Sequence, residues 1–270
     1  MAVHIGMSYH PELHDLLWRA RDEGLVDFLE IQPERYIYSH FERGQMKRLL
    51  SDFGTSYCFH FACNSLGSAD YRLDRNARQR RDIVNRLAPR WCSDHMTSCR
   101  IGDFDLEKNL PLLRTDETLQ ILVENIKLFQ EGLAAPFLLE NIATMWELKR
   151  STIAHDDFFA RAVEMADCGI LLDLHNLYAD QLNHGLDARA FIDRMPAHRI
   201  RQLHLAGGSS HDGYYYDGHD HEVPQVVFEL LEHLLTRVTP EAVILEREAR
   251  FKDLPRVWDD LVRIRGMCQR

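Results

Sequence analysis

The six cysteines of this 270-residue chain form no Cys-x-x-Cys pair and no zinc-finger spacing, so the zinc-finger class has no support in the sequence. Four of the six (Cys58, Cys92, Cys99 and Cys168) lie in apolar, strand-like stretches, where cysteine behaves as a small buried hydrophobe. Cys63, just past His60, reads the same way. A basic excess is also missing. With 32 Lys and Arg against 42 Asp and Glu, the net charge is −10, which argues against general nucleic-acid binding. The local run Arg78-Gln79-Arg80-Arg81 reads as the solvated face of a helix. No apolar run approaches a transmembrane span, and Met1-Ala2-Val3-His4-Ile5-Gly6 lacks a basic-then-apolar signal pattern. A soluble, cytoplasmic protein is therefore expected. No Gly-x-Gly-x-x-Gly follows a strand-like segment, so a dinucleotide-binding fold has no local support.

What the chain does have is regular alternation of strand-like and helix-like segments. Expected strands are Val3–Tyr9, Phe28–Gln32, Ser56–Cys63, Trp91–Cys99, Pro136–Ile142, Gly169–Leu174, Arg199–Ala206 and Ala242–Glu246. Expected helices are Pro11–Asp22, Phe41–Phe53, Arg75–Leu87, Thr115–Leu133, Asp156–Ala166, Asp187–Arg194, Pro224–Leu235 and Leu254–Arg265. Thr115 is a candidate N-cap and Pro224 a first-turn residue. Eight alternations with no linker and no repeat predict an α/β protein, a (β/α)8 TIM barrel forming a single domain over 1–270. A doubly wound open sheet is the alternative.

Ligand-type side chains fall at or just past the ends of the apolar runs: His60, His95, Glu140, Asp173, Asn176, His204, Asp217, His219 and Glu246. Any one of them alone reads as a hydrogen-bonded rim residue. In a barrel, however, strand C-termini open on one face, where active sites of this fold sit. Nine such groups packed together without a cation would repel one another or stay underused. They offer imidazole nitrogen and hard oxygen without thiolate, which suits iron, manganese or zinc. Nine exceed the needs of one ion, so two or three metals are expected. The segment 207–216 before Asp217 reads as a flexible loop and a candidate lid.

The order of these residues, with Asp173-x-x-Asn176 and Asp217-x-His219, resembles the metal set of the xylose-isomerase-like barrel superfamily. Endonuclease IV shares the order but has histidine where this chain has Asn176. A closer resemblance is to the DUF692 family of multinuclear non-heme iron-dependent oxidative enzymes. Its phrases are Ser93-Asp94-His95, Leu139-Glu140-Asn141-Ile142, Leu172-Asp173-Leu174-His175-Asn176-Leu177-Tyr178, Asn183-His184-Gly185, Gln202-Leu203-His204-Leu205-Ala206-Gly207 and Asp217-Gly218-His219-Asp220-His221. His175 departs from the commoner Asp-Val-Asn-Asn form.

This resemblance implies two or three iron ions, mixed-valent, with dioxygen as co-substrate. It implies oxidation of a cysteine in a ribosomally synthesised precursor peptide, and a peptide-presenting partner protein. Glu140, Asp217 and His219 are the expected catalytic residues among the nine. Asp94, Asn141, Asp220 and His221 adjoin expected ligands and read as residues that orient them; His175, an extra imidazole near the site, and His184 are open candidates for contact with a metal or substrate, with no role assigned. The alternatives are an endonuclease IV-like metal phosphodiesterase and a metal-dependent sugar isomerase with Glu140 and Glu246 as its carboxylate pair.

Overall fold

Short apolar runs rich in Leu, Ile and Phe become the buried strands of a computed structural model, which describes all residues except 1, 37–39, 55, 63, 72–74, 102–103 and 270. In chain order the described elements are β1 (His4–Ser8), α1 (His14–Asp22), β2 (Phe28–Ile31), α2 (His40–Phe53), β3 (Ser56–His60), α3 (Arg75–Leu87), β4 (Cys92–His95), β5 (Ser98–Ile101), β6 (Phe104–Leu110) and α4 (Asp116–Gln130). There follow β7 (Phe137–Glu140), α5 (His155–Ala166), β8 (Gly169–Asp173), α6 (Leu174–His184), α7 (Ala188–Arg194), β9 (Ile200–Leu205), β10 (Ser209–His211), β11 (Tyr214–Tyr216), α8 (Gln225–Leu235), β12 (Ala242–Leu245) and α9 (Leu254–Cys268). Eight of the strands form a closed barrel in the order β1-β12-β9-β8-β7-β4-β3-β2. The expected TIM-barrel fold is what the structure shows.

The chain divides into two compact units. One comprises the residues up to Ile31, Ala143–Met145 and those from Leu171 onward; the other comprises Gln32–Ile142 and Trp146–Ile170. In the first, β12 pairs in parallel with both β1 and β9, and β1 pairs with β2. Its strands are buried along nearly their whole length, as two-sided parallel strands must be, and Ile5, Met7, Phe28, Leu203 and Ile244 are wholly or almost wholly excluded from water. In the second unit β4 pairs with β3 and β7, and Phe129 stacks edge-on against Phe61 and Phe137.

Departures from the expected elements have local causes. The segment expected as one strand over Trp91–Cys99 breaks after His95, and Ser98 opens a separate antiparallel hairpin, β5–β6. Leu174, expected to close β8, instead begins α6. There the Asp173 carboxylate caps the helix by accepting the Asn176 N–H at 2.7 Å, which satisfies one of the orphan donors of the first turn. Segment 207–216 is a hairpin, β10–β11, turning at Asp212-Gly213, both with positive φ. That is the backbone a two-residue hairpin turn demands. Thr115 does cap α4, accepting from the Thr118 N–H, while Pro224 is the N-cap of α8 rather than its first helical residue. Arg80 contradicts the solvated-face reading of its run. It is 4% exposed and lies 3.6 Å from the Glu34 carboxylate.

Candidate metal centre

In the unit formed by Gln32–Ile142 and Trp146–Ile170, β3 ends on His60, β4 on His95 and β7 on Glu140. The Nε2 atoms of both histidines lie 3.3 Å from the same oxygen, Glu140 Oε2. Adjacent ligands around a first-row metal with bonds of about 2.1 Å stand about 3 Å apart, so the three atoms have the spacing of a coordination sphere. Ser93 Oγ sits 2.9 Å from His60 Nδ1 and fixes that ring with Nε2 turned toward Glu140. The Asp94 carboxylate accepts the backbone N–H groups of His95 and Asn64, at 2.6 and 3.0 Å. It thereby locks the bend at the end of β4, and its Oδ1 also lies 3.6 Å from the His95 ring at Nδ1. Cys92, next to this group, is fully buried and its thiol is pushed far up by that burial, so it contributes no thiolate.

The other unit gathers a second set. His204 on β9 is fully buried. Its Nδ1 is 3.1 Å from Glu246 Oε2 and 4.0 Å from Asp173 Oδ2, and its Nε2 is 2.9 Å from Glu30 Oε2. Glu30 on β2 was missed in the sequence. It is 1% exposed, and its carboxylate also accepts from Ser8 Oγ and Gln202 Nε2, each at 2.5 Å. A histidine held at one nitrogen by a carboxylate presents the other to a metal, the usual outer support of a metal-bound imidazole. Asp173 spends Oδ1 on the α6 cap, and Asn176, in the first turn of that helix, is 4% exposed.

His219 follows the β10–β11 hairpin with φ +46°. Its Nδ1 faces Glu246 Oε2 at 3.4 Å and its Nε2 faces Asp217 Oδ1 at 2.8 Å. Neither contact is aligned as a hydrogen bond, so both buried ring nitrogens lack a hydrogen-bond partner. Buried imidazole nitrogens turned toward carboxylates, but not bonded to them, are costly unless something else occupies the space. Burial acts to lower the imidazole's basicity, but Asp217 and Glu246 outweigh it and hold His219 protonated well above the ordinary histidine range. Conversely, desolvation raises Asp217, and His219 and His175 more than offset it, leaving that carboxyl far below the usual range.

His184 does not join these groups; its Nε2 pairs with the Thr144 carbonyl at 2.7 Å. Asp220 and His221 pair with each other at 2.7 Å, and their backbone N–H groups both donate to the Gly207 carbonyl, bracing the turn after His219. Asn141 is fully buried beside Glu140. Cys63 lies outside the described residues. The nine expected ligands thus fall into two sets, His60–His95–Glu140 in one unit and Asp173, Asn176, His204, Asp217, His219 and Glu246 in the other. Several three-residue groups among them have the donor types and spacing to hold a metal ion. The donors are nitrogen and oxygen only, which fits iron, manganese or zinc.

Such a barrel, with imidazoles and carboxylates at its strand ends, defines a metal-dependent enzyme class. Over residues 4–269 the chain matches the family described as RiPP precursor modification enzyme MbnB/TglH/ChrH. It belongs to that family, whose substrates are ribosomally made precursor peptides. A UPF0276 protein of Anaeromyxobacter sp. (strain Fw109-5) is 35% identical over 203 residues, 75% of this chain and 68% of the relative. One from Caulobacter vibrioides (strain NA1000 / CB15N) is 32% identical over 241 residues, 88% of this chain and 83% of the relative. Among solved structures, a D-tagatose 3-epimerase-like protein superposes with TM-score 0.64 at 16% identity, covering 98% of each chain. A family 2 AP endonuclease from Brucella melitensis gives 0.55 at 16% identity, covering 95% of this chain and 97% of its own. These two share the fold. No described helix is long and apolar enough to cross a membrane.

Proposed function

We propose that this protein is a multinuclear non-heme iron oxidase that uses dioxygen to modify a cysteine of a ribosomally synthesised precursor peptide. The observation that carries the reading is the number of nitrogen–oxygen ligand groups, more than a single ion can use, each with ligand atoms at coordination spacing. A sugar isomerase needs one divalent ion and a carboxylate pair; this chain carries ligands for more. Iron supplies Lewis acidity toward a thiol and the electrons that dioxygen chemistry requires.

The residues of the chain do the rest. His60, His95 and Glu140 would hold one ion. Asp173, Asn176, His204, Asp217, His219 and Glu246 would hold one or two more, with Glu140, Asp217 and His219 nearest the reacting cysteine. Ser93 and Glu30 fix the imidazoles of His60 and His204, so that each presents one defined nitrogen. Leu139, Leu172 and Leu205, all within 3% of full burial, precede ligands in sequence or neighbour them and keep water from the strand ends. In this reading a peptide-presenting partner protein delivers the substrate, and the five free cysteines described in the chain fit a reducing, cytoplasmic setting.

Elemental analysis with an electron spin resonance spectrum of the purified protein tests the proposal. Two or more irons per chain with a mixed-valent signal are expected. A colourless, zinc-only protein that cleaves abasic DNA would overturn it in favour of a phosphodiesterase.

A further inference from the structure

His175, the residue that departs from the commoner form of its motif, is completely buried at the first turn of α6. Its Nδ1 lies 2.6 Å from Asp217 Oδ1, and His219 Nε2 lies 2.8 Å from that same oxygen. The two rings stand 5.8 Å apart at 65°. Both His175 Nδ1 and His219 Nε2 thus stand at ion-pair distance from Asp217 Oδ1, though neither makes a well-aligned hydrogen bond. Two imidazole nitrogens and one carboxylate oxygen therefore converge at the spacing of a candidate metal site.

The other nitrogen of His175 is accounted for. Nε2 lies 2.9 Å from Tyr215 Oη, and the Gly208 backbone N–H donates to that same hydroxyl oxygen at 2.9 Å. A phenolic oxygen accepts two hydrogen bonds, so Nε2–H of His175 can donate to it and leave the Nδ1 lone pair facing Asp217. Tyr215 is itself held firmly. Its N–H donates to Asn183 Oδ1 and its carbonyl accepts from Asn183 Nδ2, both at 2.9 Å. The β10–β11 hairpin is thus pinned over His175 by one buried tyrosine.

His219 could be drawn toward either of two groups. Asp173 and Glu246, however, already have His204 Nδ1 beside them, at 4.0 and 3.1 Å. A neutral imidazole offers one lone pair, so His219 would serve the group with Asp217 and His175 through Nε2.

We propose that His175 is a metal ligand through Nδ1, completing with Asp217 and His219 a two-histidine, one-carboxylate site. That donor set leaves positions open for exogenous ligands on ferrous iron. Tyr215 is the positioning residue that selects the tautomer. The proposal rests on the metal reading of Asp217 and His219 and adds a ligand to it.

Crystals of the intact protein soaked anaerobically with ferrous iron give the direct test, read by anomalous diffraction at the iron edge. An iron peak bonded to His175 Nδ1, at about 2.1 Å, together with Asp217 and His219, is the expected result. In parallel, His175→Asn should bind ferrous iron at this site at least tenfold more weakly, and Tyr215→Phe should weaken it by a smaller factor. Iron bound by Asp217 and His219 with His175 Nδ1 outside bonding distance would overturn this inference and leave the oxidase reading intact. No iron at Asp217, with Asp217→Ala retaining the full iron content of the parent, would overturn both this inference and the ligand role of Asp217.

Discussion

Glu30 illustrates how one buried carboxylate sets the chemistry of a neighbour. It lies 2.9 Å from His204 Nε2 and leaves Nδ1 facing Glu246. Glu30→Gln keeps the volume but removes the charge that holds the ring's proton on Nε2. Loss of such an outer partner typically costs 10- to 100-fold in metal affinity, so iron should be lost about that much faster to a chelator, with an unchanged circular dichroism spectrum. Retention equal to the parent would rule out this role. Glu30 was not legible in the sequence because Ile31 and Gln32 follow it, so it does not mark the end of its apolar run, as Glu140 and Glu246 do. Ser93 escaped for another reason: a serine inside a strand carries no signature until the ring it supports is seen. His175 was legible as an extra imidazole near the site. Its partners were not, since Tyr215 comes forty residues later on a hairpin.

At the scale of elements, the barrel strands and their helices follow from apolar runs and 3.6-residue stripes, and most were legible to within a few residues. What was not legible is the structure inserted at strand ends. The tyrosines of β11 alternate as a strand should, Tyr215 buried and Tyr214 44% exposed, but three residues are too few for periodicity to register. Gly207 and Gly208 show how tightly the hairpin is seated: a Cβ would meet the Glu222 carbonyl oxygen at 2.0 Å and that of Tyr216 at 2.0 Å. Gly208→Ala should therefore displace the hairpin, seen as faster proteolysis within 207–216 while the rest of the chain stays resistant.

The α9 helix carries a different liability. Asp260 accepts the Val223 N–H at 3.0 Å, and burial raises its carboxyl to about 6, Arg247 offsetting only part of this. A carboxyl raised on folding binds its proton more tightly in the native state. Its stabilising contribution is therefore full below about pH 4 and is lost as pH rises through about 6, a change of about 3 kcal/mol at most. Asp260→Asn keeps the acceptor and removes the titration. Urea midpoints measured from pH 4 to 7 should fall less steeply for the variant than for the parent, and parallel curves would sink the assignment.

For the whole molecule, the ligand sets are also a stability problem that metal solves. Glu30, Glu140, Asp173 and Glu246 are each at most 6% exposed, in a chain of net charge −10, and buried carboxylates without a cation are expensive. Ligands that bind only the native state stabilise it by mass action, about 2.7 kcal/mol at a hundredfold excess over the dissociation constant. For a protein of this size that corresponds to a rise in melting temperature of about 5–10 °C per occupied site. His60 and Asp217 belong to different ligand groups, so each should carry only part of the gain. Scanning calorimetry under nitrogen should show that ferrous iron raises the melting temperature of the parent, and that His60→Ala and Asp217→Ala each abolish only part of the rise. Elemental analysis of the same samples should show each variant short of metal but not empty. If either substitution left the full iron content and the full stabilisation of the parent, the substituted residue would not be a metal ligand.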